Sequence, residues 1–304
     1  MEGILPLLKP KGMTSHDCVF KLRKILKTKK VGHTGTLDPD VTGVLPICLG
    51  KATKVAEYIT DAGKAYEAEV TLGFSTTTED ASGEIVDQKN VMNPISREQI
   101  LSVFAKFTGE ISQTPPMYSA VKVKGKRLYE YARQGIEVER PTRKVMIYAI
   151  ELLDDRIIFS DNLIRFRFRV SCSKGTYIRT LAVMIGEELG YPAHMSDLVR
   201  IQSALYVIED CLTFPEIEER MKSGTLAEVI RPLESALVHL PNITINDTVA
   251  KKVKNGAVLP VSAQFASFND PMVLMTTDKV ALAIYEHHKE KPGLMKPVKV
   301  LRNE

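Results

Sequence analysis

Two stretches of this chain alternate between apolar and polar residues. A period of two is the spacing of a strand with one face in a core. Residues 66–72 set Tyr66, Ala68, Val70 and Leu72 on one side and Glu67, Glu69 and Thr71 on the other. Residues 163–172 repeat the pattern, with Ile164, Phe166, Phe168 and Val170 against Arg165, Arg167 and Arg169. A further strand-like run, 145–153, precedes the second stretch, and the two are expected to pair. Elsewhere the apolar spacing becomes helical. Val19, Leu22, Ile25 and Leu26 follow a cap at Thr14 or Ser15, and Ile100, Leu101, Phe104 and Phe107 follow a capping box formed by Ser96 and Gln99. Strands at 3–10 and 44–49 and a helix near 52–60 complete a mixture of α and β elements.

The chain's 304 residues are about twice a usual domain length. The texture changes near His239. Beyond it come short strand-like runs separated by turns (KNGAVLP, FNDPMVLMTTDKVALAIYE, KPVKVL), which suit a small β-rich module. A boundary there gives domains of 1–239 and 240–304. Cys18, Cys48, Cys172 and Cys211 form no CxxC pair, and the histidines form no HExxH, so neither a disulfide framework nor a metal site is expected. The N-terminal apolar run is broken by Pro6, too short for a signal-peptide core, and no run is long enough to span a membrane. A cytoplasmic protein without a membrane partner is expected.

The chemistry concentrates in GHTGTLDPDVTG, residues 32–43. Gly32, Gly35 and Gly43 allow unusual backbone conformations, and Pro39 biases Asp38 toward an extended one. The Asp38 carboxylate is thereby fixed among His33, three threonines and three glycines. A plain Asp-Pro surface turn is the competing reading. A second constellation, SCSKGTYIRTL at 171–181, ends a strand at a turn and begins a helix with Arg179 in its first turn. The helix dipole serves a cation poorly there, so a counter-ion is expected.

Charge is clustered. Residues 1–60 carry a net +5 and residues 105–150 another +5, against +4 for the whole chain. This distribution suits a polyanionic partner. Within the second cluster, 113–145 interleaves Lys and Arg with Tyr118, Tyr129 and Tyr131 around a Lys-Gly-Lys turn. It reads as a projecting hairpin and short helix able to contact phosphates and bases, or equally as a surface excursion packed by its own aromatics.

Taken together, KPKGMTSH (9–16), GHTGTLDP (32–39), GVLPICLGKATK (43–54), KAYEAEVTLG (64–73), TEDASGE (78–84), PPMYSAVKVKGKRLYEYAR (115–133) and CSKGTYIRTLA (172–182) resemble the bacterial TruB family, the tRNA pseudouridine-55 synthases. Val41 departs from the alanine usual in that family. The resemblance implies an α+β catalytic domain, its central mixed or antiparallel sheet flanked by helices, and a C-terminal PUA-like RNA-binding domain. It implies isomerisation of uridine 55 in the tRNA T-loop by a monomer that uses no cofactor and no metal. Asp38 would be the nucleophile, Arg179 its ion-pair partner and Tyr66 a ring packed on the target uracil. His33 would fill the stack left by the flipped base. Asp80 would contribute a salt bridge, Leu198 a pocket wall, and Lys9 with Pro10 would hold the loop. Segment 113–145 would grip the T arm and the C-terminal module the acceptor arm.

Two other classes compete. A phosphate-binding loop at Gly50-Lys51 fails, because Leu45 and Ala52 stand where a P-loop needs glycine and Ser/Thr. A non-catalytic RNA-binding or tRNA-folding protein would explain the basic clusters but not the set Asp38, Tyr66 and Arg179.

Overall fold

The computed structural model describes residues 1–153, 157–261 and 271–303. The chain forms two units, one of 1–40, 44–60 and 204–304, the other of 41–43 and 61–203.

In the first unit, strand Gly3–Lys9 lies beside strand Thr42–Leu49, which pairs antiparallel with the short strand Val31–His33. Alternation along these strands sends side chains to two cores. Leu5, Leu7, Leu45, Ile47 and Leu49 meet Cys18, Val19 and Leu22 of helix Ser15–Ile25 together with Phe214 and Ile217 of helix Phe214–Ser223. Ile4, Val44 and Cys48 point the other way, into a cluster with Val55, Ile59, Tyr206 and Leu237. Burial on both faces explains why these strands read as continuous apolar runs. Thr14 caps the first helix, its hydroxyl accepting from the Asp17 amide, and Asp17 returns the bond in a full capping box.

The C-terminal part of this unit carries a five-stranded sheet in the order Asn242–Thr244, Met272–Met275, Ala281–His287, Leu294–Val300, Leu259–Pro260. Val273, Ala281, Ile284 and Leu301 join the cluster containing Ile4 and Val44. The Lys54 ammonium donates to the Val300 carbonyl (2.8 Å), and Arg302 bridges Glu234 (2.6 Å) and Glu2 (3.2 Å). Residues 268–270 of the run FNDPMVLMTTDKVALAIYE lie outside the described residues. Helix Asp247–Lys254, capped by Asn246, was not anticipated among the short strands.

The second unit is built on an antiparallel run of strands in the order Ala193–Ser203, Lys64–Leu72, Leu163–Cys172, Arg143–Leu152, Gly109–Gln113. Thr42 and Gly43 add parallel pairs with Val199 and Arg200, which makes the sheet mixed. The alternation at 66–72 and 163–172 is realised: Phe166 lies directly opposite Val70 and Phe168 opposite Ala68. On the other face Arg169 pairs with Glu67 at 2.7 Å. Thr71 departs from expectation, being buried on the side predicted to face water. Helix Arg97–Phe107 is capped by Ser96 and stacks Phe104 against Phe166 and Phe168 (ring centroids 6.2 and 5.7 Å). Its buried stripe is Ile100, Val103, Phe104 and Phe107; Leu101, assigned to that stripe from sequence, faces solvent.

Candidate active site

Asp38 lies in a loop tied down on both sides of it. The Leu37 amide donates to the Ser15 hydroxyl at 2.9 Å, and the hydroxyl reaches the Leu37 carbonyl at 3.3 Å. After Asp38, the Pro39 carbonyl accepts from the Gly12 amide and from the Lys9 ammonium, each at 2.9 Å. Lys9 is fully buried and also donates to the Pro10 carbonyl at 2.9 Å. A buried ammonium is tolerated only when such acceptors replace its water. Upstream, the Thr34 amide and hydroxyl both bond the Pro46 carbonyl, at 3.2 and 3.1 Å. Asp38 itself is half-exposed. His33 ends the short strand that leads into the loop.

The glycines of this loop do not contribute alike. Gly35 and Gly43 both adopt φ +113°, which a side chain resists. A Cβ on Gly43 would stand 2.2 Å from the Arg200 carbonyl oxygen. Gly32, expected to serve the same purpose, is an ordinary strand residue with 3.9 Å to the nearest atom a Cβ would meet. Val41 is buried.

The second unit gathers the remaining candidates in two pairs. Tyr66 stands opposite Arg200 across the sheet, with Leu198 opposite Ala68 one pleat away, so phenol, leucine and guanidinium share one sheet face. All three are nearly buried. Arg179, in the first turn of helix Ile178–Leu189, donates to the Thr78 carbonyl (2.8 Å) and the Tyr118 carbonyl (2.9 Å) and lies 3.8 Å from an Asp80 carboxylate oxygen. The counter-ion expected for a cation at a helix start is therefore present. The other Asp80 oxygen accepts from the Thr78 hydroxyl (2.7 Å), the Ser82 hydroxyl (2.6 Å) and the Ser82 amide (3.0 Å). The start of the helix is fixed by Gln113, whose amide oxygen accepts from the Tyr177 amide and whose amide nitrogen donates to the Tyr177 carbonyl. Lys9, His33 and Asp38 belong to the first unit; Tyr66, Asp80, Arg179 and Leu198 belong to the second.

Four neighbours escaped sequence reasoning. Arg200 carries no motif. Glu79 takes φ +62°, and its carboxylate accepts the Thr180 hydroxyl at 2.6 Å; burial raises its pKa above the usual carboxylate value. His194 is buried against Phe74 (4.3 Å between rings), and burial lowers its pKa. On the Tyr66 face, Lys64 is pushed down to about 8, by burial first and then by Arg200. Lys64 extends the alternation of Tyr66 and Ala68, the one sequence signal that could have found it.

The basic segment is a hairpin, Lys122–Val123 with Lys126–Arg127, followed by helix Leu128–Ala132. Two of its tyrosines pack within the segment itself. Tyr129 lies under Arg127 and Arg133 (5.8 and 5.3 Å), and the Tyr131 hydroxyl donates to the Val123 carbonyl, while Lys122, Lys124, Lys126 and Arg127 remain exposed.

Residues 23–178 match the family model for the TruB family pseudouridylate synthase N-terminal domain, and 179–238 match that for the tRNA pseudouridylate synthase B C-terminal domain. The chain belongs to the TruB family. It is 59% identical to tRNA pseudouridine synthase B of Geobacillus thermodenitrificans, an alignment covering 99% of this chain and 100% of the relative. It is 57% identical to the protein of the same name from Bacillus cereus, over 100% of this chain and 98% of the relative. Among solved structures, a Cbf5-Nop10-Gar1 complex aligns with TM-score 0.76 and 31% identity, over 99% of this chain and 85% of the matched one. An H/ACA RNP bound to a substrate RNA containing 2'-deoxyuridine aligns with TM-score 0.72 and 28% identity, over 98% and 84%. The Asp38 loop, Tyr66 and the Asp80 turn fall inside the TruB N-terminal match, and Arg179 opens the C-terminal one. No described helix is long and apolar enough to cross a membrane. No group of three or more His, Cys, Asp or Glu that could hold a metal ion occurs among the described residues.

Proposed function

We propose that this TruB-family chain is a tRNA pseudouridine synthase that isomerises uridine 55 of the T-loop. The observation that carries the reading is near-complete alignment, at 57 to 59% identity, to relatives named tRNA pseudouridine synthase B. The tied-down Asp38 suits the chemistry. The target nucleotide leaves its stack at a cost of about a few kcal/mol, and His33 takes the vacated place. Asp38 attacks C1′ of the ribose or assists removal of the C2′ proton, and the N1–C1′ bond breaks with its electron pair going to uracil. The ring turns, C5 bonds to C1′ as the Asp38–C1′ bond breaks or, on the other route, as C2′ regains its proton, and the C5 proton departs while N1 gains one. Nothing is oxidised or reduced. Arg179 keeps Asp38 ionised and oriented, and Tyr66 packs on the uracil and relays the proton, with Leu198 as pocket wall. Segment 113–145 holds the T arm, and 240–304 works as a PUA-like module on the acceptor arm, in a cytoplasmic monomer.

Because C5 loses its hydrogen, tRNA carrying tritium at uridine C5 releases label on turnover. Wild type is expected to release it stoichiometrically with position-55 modification, and Asp38→Asn to release none. Wild type that binds the tRNA but releases no tritium would remove the enzyme reading. Release without modification at position 55 would relocate the target.

A further inference from the structure

Residues 78–80 and the first turn of helix Ile178–Leu189 meet through three consecutive residues. The Thr78 carbonyl and the Asp80 carboxylate both face Arg179, at 2.8 and 3.8 Å. Glu79, between them, points the other way and accepts the hydroxyl of Thr180, the next residue along the helix, at 2.6 Å. This arrangement depends on Glu79 at φ +62°, a left-handed conformation uncommon for a residue with a side chain. With ordinary extended backbone at 79, the carbonyl of 78 and the side chain of 80 would not converge on one guanidinium. The turn has further anchors: the Met195 amide donates to the Glu79 carbonyl at 3.0 Å, and the Thr76 hydroxyl to the Asp80 carbonyl at 2.6 Å. The carboxylate–hydroxyl bond ties the side chain of residue 79 directly to the helix, and it is largely sheltered from water, which strengthens it.

We infer that Glu79 and Thr180 form a positioning pair, which fixes the direction in which Arg179 presents its guanidinium. The pair touches neither substrate nor reacting atoms. Its effect lies in geometry: a guanidinium free to tilt by a fraction of an ångström stabilises the transition state less, while the phosphate contacts that bind tRNA are untouched. The inference rests on the synthase reading above.

The test is steady-state tritium release by the full chain with Thr180→Val, Thr180→Ser, Glu79→Ala and Glu79→Gln, with melting temperature and tRNA binding measured on each. Thr180→Val replaces the hydroxyl with a methyl of similar shape, and it and Glu79→Ala are expected to lower kcat by about ten- to a hundredfold, the range for small misplacements of an active-site group. KM should stay within about threefold of wild type, since phosphate contacts dominate affinity. Thr180→Ser keeps the donor and Glu79→Gln keeps an acceptor, so both should restore most of kcat. The Glu79→Ala, Thr180→Val double variant should be no slower than the worse single one, because both remove the same bond. Wild-type kcat in both disruptive variants overturns the inference. So does a loss confined to KM, or a loss that persists in Thr180→Ser and Glu79→Gln. An inactive wild type would instead refute the synthase reading, so the two failures are distinguishable.

Discussion

Asp38 sits between two residues whose backbones are tied to other parts of the chain, Leu37 to Ser15 and Pro39 to Gly12 and Lys9. None of these bonds is made by the Asp38 side chain. Asp38→Asn is accordingly expected to abolish tritium release while leaving tRNA affinity within about tenfold, because phosphate contacts supply most of the binding. A large loss of affinity would make the carboxylate structural. Glu79 gives a second prediction of different kind. Desolvation raises its pKa in the fold, with the Thr180 bond and then Arg179 and Arg140 pulling the other way and Glu187 adding to the rise. The folded protein thus binds this proton more tightly than the unfolded chain. The group's favourable contribution is complete below the unfolded carboxyl pKa and is lost as pH rises through the raised one. Glu79→Gln has no such titration. Its melting temperature relative to wild type should increase as pH rises from about 4 toward neutrality, and a constant difference across that range would contradict the assignment.

At the level of the element, the Asp38 loop owes its path to a few local devices that can be removed singly. Ser15→Ala leaves the Leu37 amide without its acceptor and should cost about 1–3 kcal/mol, read as a lower urea midpoint with unchanged slope. Gly43→Ala should cost at least as much, because a Cβ cannot stand 2.2 Å from the Arg200 carbonyl oxygen at φ +113°. Gly32→Ala serves as contrast and should gain about 0.5–1 kcal/mol, glycine being an unfavourable strand residue. Two glycines of one motif would then differ in sign. That difference was not legible from the sequence, where all three glycines of the loop look equivalent. What could be read were devices with a local code: the caps at Thr14 and Ser96, and the alternation of 66–72 and 163–172. Strand Ala193–Ser203 was missed because bulges at 195/197 and 200/202 slip its period, so AHMSDLVRIQS never alternates cleanly. Leu101 was placed in the core because leucine at that spacing usually is, yet Val103 fills the position. Glu79 escaped because nothing in TTTEDASGE marks which residue will turn left-handed. The site candidates themselves came from ordered motifs, since Asp38, Tyr66 and Arg179 are too far apart in sequence for any local rule to join them.

Across the whole molecule, charge and burial make separate predictions. Lys122, Lys124, Lys126 and Arg127 are exposed on the hairpin, so replacing any one that meets a phosphate should weaken tRNA binding and flatten its dependence on salt. The expected change in the slope of log K against log salt is about 0.7–0.9 for each phosphate no longer neutralised. Residues 240–304 act through burial instead, because their sheet does not stand apart from the N-terminal strands of its own unit. Val273, Ile284 and Leu301 pack with Ile4, Val44, Cys48 and Val55, and Arg302 bonds Glu2 and Glu234. Burying one such apolar side chain contributes about 1.5–3 kcal/mol, and a whole protein is stable by only about 5–15 kcal/mol. Removing three large apolar partners therefore takes away a substantial share of that margin. A fragment ending at His239 should melt far below the full chain, or aggregate through the uncovered patch, and lose tritium release for that reason. Thermal melts of the two proteins decide it. A fragment melting within a few degrees of the full chain would show that 240–304 covers this core without stabilising it, and an inactive fragment would then report that the module's own grip on the tRNA is what turnover needs.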